Sequence, residues 1–371
     1  CKCDSFVKAQ EVFRKLNVRV RNIVCWNAIM AAYAKDGQFK EVVNCFEAMK
    51  SHGILPDAVT CVCCLKACGT LQDIQKGHEI HDEIQRRGLL DVDVFLGSSL
   101  VDMYAKCGSI REAQKVFDEL PDRNIASWNV LIFGYVRNGH PEGALRCFNQ
   151  MRNDGLLPNA VTFTAALMAC GRARSLIKGK EIHDEIWKNG LLRSRCLIDK
   201  GKELHADCSE NGLLQVRYLD TNAKETHEAV TYRGSQGSHF LGNFKAIHAE
   251  TNENEVSLGN ALVDMYAKCG VLERAQQVLE GLPNRTVITW SALIAGYAQQ
   301  EKCHEALNCF GQMMSEGLSP NNVTYICVLK ACGNIGAIVD GKRIHDEIAS
   351  KGLVGKGIVL GSALMDMCAK C

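Results

Sequence analysis

Residues Ile125 to Asn159 read IASWNVLIFGYVRNGHPEGALRCFNQMRNDGLLPN. Trp128, Leu131, Ile132 and Tyr135 recur at spacings of three and four, which places them on one face of a helix. Asn138-Gly139 ends that helix. Ala144, Leu145, Phe148 and Met151 repeat the pattern in a second helix, which Gly155 stops and Pro158 keeps from resuming. A lone hairpin of this size cannot bury both apolar faces, so it needs neighbours of its own kind.

The rest of the chain supplies them. Trp128 recurs as Trp26, 102 residues earlier, and as Trp290, 162 residues later; Cys107 recurs as Cys269 after 162 and as Cys371 after a further 102. A 102-residue super-period with one 60-residue interruption follows, and periodicity on that scale means a solenoid. Each super-period divides into hairpins of 31, 35 and 36 residues. Residues 1–22 are the tail of a 31-residue unit. Then come 23–57 (35 residues), 58–93 (36), 94–124 (31), 125–159 (35) and 160–195 (36). Register resumes at 256–286 (31), 287–321 (35) and 322–357 (36), and 358–371 opens a further 31-residue unit. Ser109 and Glu112 stand at capping-box spacing at the start of one second helix. The expected fold is all-α, a solenoid of about eight complete helix-turn-helix hairpins.

Residues 196–255 interrupt the pattern. CLIDKGKELHADCSENGLL nearly repeats SLIKGKEIHDEIWKNGLL just before it, as though a second helix had been duplicated. A helix is expected near 197–212, then a poorly ordered loop through 255. The segment is either a genuine insertion or an artefact of gene prediction.

The formal net charge is only +1, so no global basic field announces a nucleic-acid binder and any such binding must be local. The 20 cysteines fall largely at equivalent repeat positions: Cys45, Cys147 and Cys309 before Phe; Cys68, Cys170 and Cys332 in A-C-G; Cys107, Cys269 and Cys371 in A-K-C. They read as small helix residues packed in a reducing compartment rather than as disulfides. No signal peptide and no long uncharged apolar run is present, so no membrane span is expected. The chain begins inside a motif without an initiator Met, and a targeting segment would lie upstream.

The three alternating lengths, with WNAIMAAY from Trp26, LVDMYAKCG from Leu100 and KGKEIHDEI from Lys178, resemble the pentatricopeptide repeat family of plant organelles. The likeness is to its PLS class, in which P (35), L (36) and S (31) motifs rotate, and it covers roughly 310 residues. The resemblance implies a right-handed superhelix of paired helices that binds single-stranded RNA in a mitochondrion or chloroplast. Many of the class select sites for cytidine-to-uridine editing. Implied partners are organellar RNA and editing-complex proteins or a DYW-type deaminase acting in trans, because no E or DYW extension follows the S motifs here. A tetratricopeptide-like protein scaffold is the competing reading, but a constant 34-residue repeat does not yield 35, 36 and 31, and Ile132 stands where its glycine is expected.

Modular RNA recognition assigns one base to each helical repeat, read by two or three side chains. The resemblance implies that the fifth and last residues of each motif read the base and that a small aliphatic second residue packs on it. In the P motifs the pairs are Asn27 with Asp57, Asn129 with Asn159, and Ser291 with Asn321; in the S motifs they are Ser98 with Asn124 and Asn260 with Thr286. Base-packing candidates are Val24, Ala126 and Ile288. The L motifs carry Val62, Thr164 and Ile326 at the fifth position, and no reading is assigned to them. Asn with Asp implies U, Asn with Asn a pyrimidine, Ser with Asn A, and Asn with Thr a weak pyrimidine preference. Helix capping is the other reading of these Asn, Ser and Asp residues. Lys35, Lys106, Arg137 and Lys268, at the ends of first helices, are phosphate-contact candidates against a solvated-charge alternative.

Cytidine deaminases hold zinc with H-x-E followed by P-C-x-x-C. His345-Asp346-Glu347 and Cys368-Ala369-Lys370-Cys371 imitate that order, but the histidine recurs as His81 and His183, Cys371 is a repeat cysteine, and Met367 stands where proline is needed. His78-Glu79-Ile80-His81 is one residue short of a zinc-protease helix. Cys61, Cys63 and Cys64 read as packing. No catalytic residue, metal ligand or cofactor is expected.

Overall fold

A computed structural model of the chain describes residues 8, 10–13, 15–16, 21–91, 94–192, 237–353 and 358–370. Among them are seventeen α-helices, one short 3-10 helix and no strand. The chain divides into two compact units, 1–173 and 174–371.

The first unit contains α1 (Ile23–Lys35), α2 (Phe39–Ser51), α3 (Ala58–Leu71), α4 (Ile74–Arg86), α5 (Val94–Lys106), α6 (Ile110–Glu119), α7 (Ile125–Arg137), α8 (Pro141–Asn153) and α9 (Ala160–Ala173). The odd-numbered helices pack on one another in succession. Each even-numbered helix packs on the first helix of its own hairpin and on the first helix of the next. The result is a solenoid in which first helices form one layer and second helices the other.

The second unit repeats this arrangement with α10 (Leu176–Lys188), α11 (Gly237–Lys268), α12 (Leu272–Gly281), α13 (Val287–Gln299), α14 (Cys303–Ser315), α15 (Asn322–Ile335), α16 (Ile338–Ser350) and α17 (Ile358–Lys370). Here α11, α13, α15 and α17 pack in succession, and α12, α14 and α16 fill the outer layer.

The periodic residues are the core. Trp128, Leu131, Ile132, Phe148 and Met151 are all buried, and the Trp128 ring meets Phe117 of the preceding hairpin edge-on at 4.5 Å. Trp26 meets Phe13 in the same way at 4.9 Å. Gly139 turns the chain between α7 and α8 at φ +79, a conformation that other residues rarely adopt. Gly134 serves close approach instead, because a Cβ there would lie 2.8 Å from that of Ala105 on α5.

Two expectations fail. Ser109 precedes α6 but makes no side-chain cap bond; its ψ of 65 differs from the extended values of true caps, and its N–H is spent on Tyr104 O at 2.9 Å. The loop expected through 255 is helical from Gly237 onward, continuous with the helix that ends at Lys268. No proline interrupts those 32 residues, and once the C-terminal half is packed, each residue added upstream brings its own hydrogen bond without a new nucleation cost. The helix expected near 197–212 and the duplication around it lie outside the described residues.

Candidate nucleic-acid interface

In the P and S motifs the last residue sits at the N-terminus of the next first helix, and in four of the five candidate pairs this brings it back to the fifth residue of its own motif, directly or through a threonine. Asp57, Asn124, Thr286 and Asn321 are N-caps of α3, α7, α13 and α15, with extended backbones and side chains that accept from the N–H three residues on. Asn159 does the same for Thr162 N at 3.0 Å. Capping and pairing are therefore not alternatives, because the same side chains do both. Asn27 Nδ2 donates to Asp57 Oδ1 at 3.0 Å and lies 3.1 Å from Oδ2. Asn129 Nδ2 reaches Asn159 Oδ1 at 3.4 Å, and Thr286 Oγ1 donates to Asn260 Oδ1 at 2.9 Å. Ser291 and Asn321 are joined through Thr324, whose Oγ1 lies 2.7 Å from Ser291 Oγ and 3.0 Å from Asn321 Oδ1. Ser98 is half-buried on α5, and its partner Asn124 accepts from Ser127 N at 2.9 Å.

Burial pushes the Asp57 carboxyl up, but hydrogen bonds from Thr60 and Asn27 outweigh it and hold the group below its ordinary value. The site therefore presents an ionised acceptor beside an amide donor at neutral pH. Asn129 and Ser291 are buried, whereas Asn159 and Asn321 are exposed, so only an edge of each of these two pairs faces outward.

The second positions carry exposed apolar side chains in both units. Val24 is 68% and Ile288 60% exposed, and Ala126 is exposed as well. Val59, Phe95, Val161, Val323 and Val359 occupy the same position in other motifs and are also exposed. Sequence reasoning considered only the P motifs and missed these, although their register made them findable. Exposing apolar side chains at one repeated position costs hydration free energy that folding does not recover, which makes these positions candidates for contact with a ligand.

Asn129 lines a groove of about 350 Å³ with Asp102, Lys106, Phe133, Arg137 and Val161. The phosphate-contact candidates divide here. Lys106 and Lys268 are ion-paired within their own helices to Asp102 and Asp264, each at 2.5 Å. Arg137 stands in the groove at the end of α7.

The apparent catalytic signals have structural partners. Glu347 accepts from Tyr325 Oη at 2.8 Å and Lys351 Nζ at 2.7 Å. His81 Nδ1 lies 2.8 Å from Tyr104 Oη, which also contacts His78 Nδ1 at 3.0 Å, and His183 Nδ1 lies 2.8 Å from Tyr266 Oη. Cysteines among the described residues are free thiols, and burial pushes Cys61 and Cys68 up to about 12 and Cys147 and Cys309 up to about 11. No three His, Cys, Asp or Glu side chains among the described residues converge to hold a metal ion, and no described helix is long and apolar enough to cross a membrane.

Stacked hairpins, in which the P and S motifs bring a first-helix polar residue toward the cap of the next first helix, define a helical-repeat solenoid with candidate reading sites at those motifs. The PPR repeat family model matches residues 21–70, 123–172 and 285–334, and the PPR repeat model matches 98–125 and 161–191, together more than half of the chain. The chain belongs to the pentatricopeptide repeat family. It is 30% identical over 369 residues to the chloroplastic pentatricopeptide repeat-containing protein At4g18520 of Arabidopsis thaliana, covering 100% of this chain and 49% of that protein. To the mitochondrial protein At3g09040 of the same plant it is 28% identical, covering 99% of this chain and 29% of that protein. The chain thus spans half or less of the length of these two relatives. The crystal structure of maize PPR10 aligns with 99% of this chain and 54% of that chain at 21% identity and a TM-score of 0.43.

Proposed function

We propose that the chain is a sequence-specific single-stranded RNA-binding adaptor of the PLS class. The observation that carries this reading is the repeated geometry of a fifth-position polar group meeting the following helix cap, beside an exposed apolar second residue. Asn27 with Asp57 supplies an N–H donor next to a carboxylate acceptor, which complements a carbonyl and the N3–H of uracil. Cytosine would turn its N3 lone pair toward the carboxylate and be repelled. Val24 and Val59, from consecutive motifs, supply apolar surface for the base faces. Arg137 would add sequence-independent attraction to the backbone.

Read N to C along RNA 5' to 3', residues 23–195 select U, an unassigned base, A, a pyrimidine and an unassigned base. Residues 256–357 select a weakly preferred pyrimidine, A and an unassigned base. The adaptor selects a site in a mitochondrial or chloroplast transcript, such as one for C-to-U editing, and leaves the chemistry to a deaminase domain or an editing partner. The relatives' names place them in those two organelles, which supports that setting.

Anisotropy titration of the chain with a labelled single-stranded RNA bearing U-N-A-Y-N tests the reading. Replacing the A by C should weaken binding by about fivefold or more, one base pair's worth of discrimination. Equal affinity for both RNAs by a folded sample would refute it.

A further inference from the structure

We infer that Thr60, Thr162 and Thr324, the third residues of the L motifs, are positioning residues for the base readers of the P motifs, an inference that rests on the RNA-reading proposal. All three are fully buried. Each lies at the junction of two helices and touches both members of a pair. Thr60 Oγ1 donates to Asn27 Oδ1 at 2.6 Å and is 2.8 Å from Asp57 Oδ1. Thr162 Oγ1 donates to Asn129 Oδ1 at 2.6 Å and is 3.0 Å from Asn159 Oδ1. Thr324 Oγ1 stands 2.7 Å from Ser291 Oγ, whose own proton goes to Val287 O at 2.5 Å.

An asparagine can present its amide in two orientations that differ by a half-turn, and each offers a base a different donor and acceptor order. At Asn27 the orientation is chemically forced, because a carboxylate only accepts and so takes the Nδ2 side. At Asn129 the last residue is itself an amide. Its Oδ1 is held by the Thr162 backbone N–H, and the 3.4 Å contact to Asn129 Nδ2 is weak. The 2.6 Å bond from the Thr162 hydroxyl is then the stronger constraint, fixing Oδ1 inward and leaving an Nδ2 hydrogen to face the base.

The S-to-P junctions differ. Ser127 and Thr289 occupy the same place after the cap and are equally buried, yet their hydroxyls donate to the cap carbonyls, Asn124 O at 2.9 Å and Thr286 O at 2.7 Å. A buried hydroxyl at this place therefore need not address the reader, and in the P sites it does.

The test compares wild type, Thr162→Val, Thr162→Ser and Thr60→Val in the intact chain, with thermal melts to verify folding. Each is titrated with RNAs varied only at the base opposite Asn27, only at the base opposite Asn129 or only at the A opposite Ser98. Thr162→Val should lose about threefold to tenfold of its pyrimidine preference at the Asn129 base, the worth of one hydrogen bond. Thr162→Ser should retain that preference, and discrimination at the A should be unchanged in both. Thr60→Val should lose less at its own base than Thr162→Val does at its base, because Asp57 still orients Asn27. Full preference in Thr162→Val, equal loss in the Val and Ser variants, or a uniform loss at both bases would overturn the inference while leaving RNA reading intact. A wild type with no preference at any base would overturn both.

Discussion

Asn27 on α1 and Asp57 at the cap of α3 are 30 residues apart in sequence, yet the amide nitrogen of one lies 3.0 and 3.1 Å from the two carboxylate oxygens of the other. The pair exists because a 35-residue hairpin returns the chain to the start of the next first helix. In the proposed reading the carboxylate repels a base that offers a lone pair in its direction. Asp57→Asn removes that repulsion and should reduce U-over-C discrimination at the first base about tenfold, as measured by competition binding, with preferences at other bases unchanged.

Phe95 replaces the aliphatic residue usual at the second position and is 72% exposed. A ring stacks on a base more strongly than a methyl group does, so Phe95→Ala should weaken RNA binding by about 1 to 3 kcal/mol without changing which base is preferred. Isothermal titration with the selected RNA would check this, and Phe95→Tyr should bind as the wild type does.

Glu316 ties down the third P motif. It accepts from buried Trp290 Nε1 at 2.8 Å and pairs with Arg285 at 2.5 Å. Asp154 is its counterpart in the second P motif, one methylene shorter, and there Trp128 Nε1 is buried without a protein acceptor among the described residues. Glu316→Ala should destabilise the chain by about 1 to 3 kcal/mol, whereas Asp154→Glu should stabilise it by about 0.5 to 1.5 kcal/mol. Urea unfolding followed by tryptophan fluorescence separates the two.

His81 and His183 pack against Tyr104 and Tyr266, and burial pushes both imidazoles below their ordinary value. The unfolded chain then takes up protons as pH falls below about 6.5, while the folded chain resists them until its own lower values are reached. Stability should be fully present above that pH and decline below it. Thermal melts between pH 7.5 and 5 should show the decline, and His81→Gln with His183→Gln should flatten it.

The solenoid was legible because Trp26, Trp128 and Trp290 recur in register with their cysteines, and apolar spacing at three and four dictates helices. The pairing of fifth with last residues came from the family resemblance, and the helix ends supply its mechanical reason. The role of Thr60, Thr162 and Thr324 was not legible because a threonine three residues after a cap has an ordinary purpose, the capping box, and only the fold brings its hydroxyl to a helix 33 residues back. Ser109 shows the converse, since capping-box spacing alone does not make the bond when a tight turn has set the backbone. The helix from Gly237 reads as loop in the sequence because Gly234, Gly237 and Gly242 are turn signals, although Phe240, Phe244 and Ile247 stand at helical spacing and the segment continues a packed downstream half.

The most direct test of the central claim is selection of a randomised single-stranded RNA pool on the purified chain, followed by sequencing of what is retained. Enrichment of U, any base, A, pyrimidine at consecutive positions is the expected result, and Asn27→Ser should change the first of them. A folded sample that retains RNA without any enriched sequence, or retains none, would contradict the assignment of these side chains as base readers.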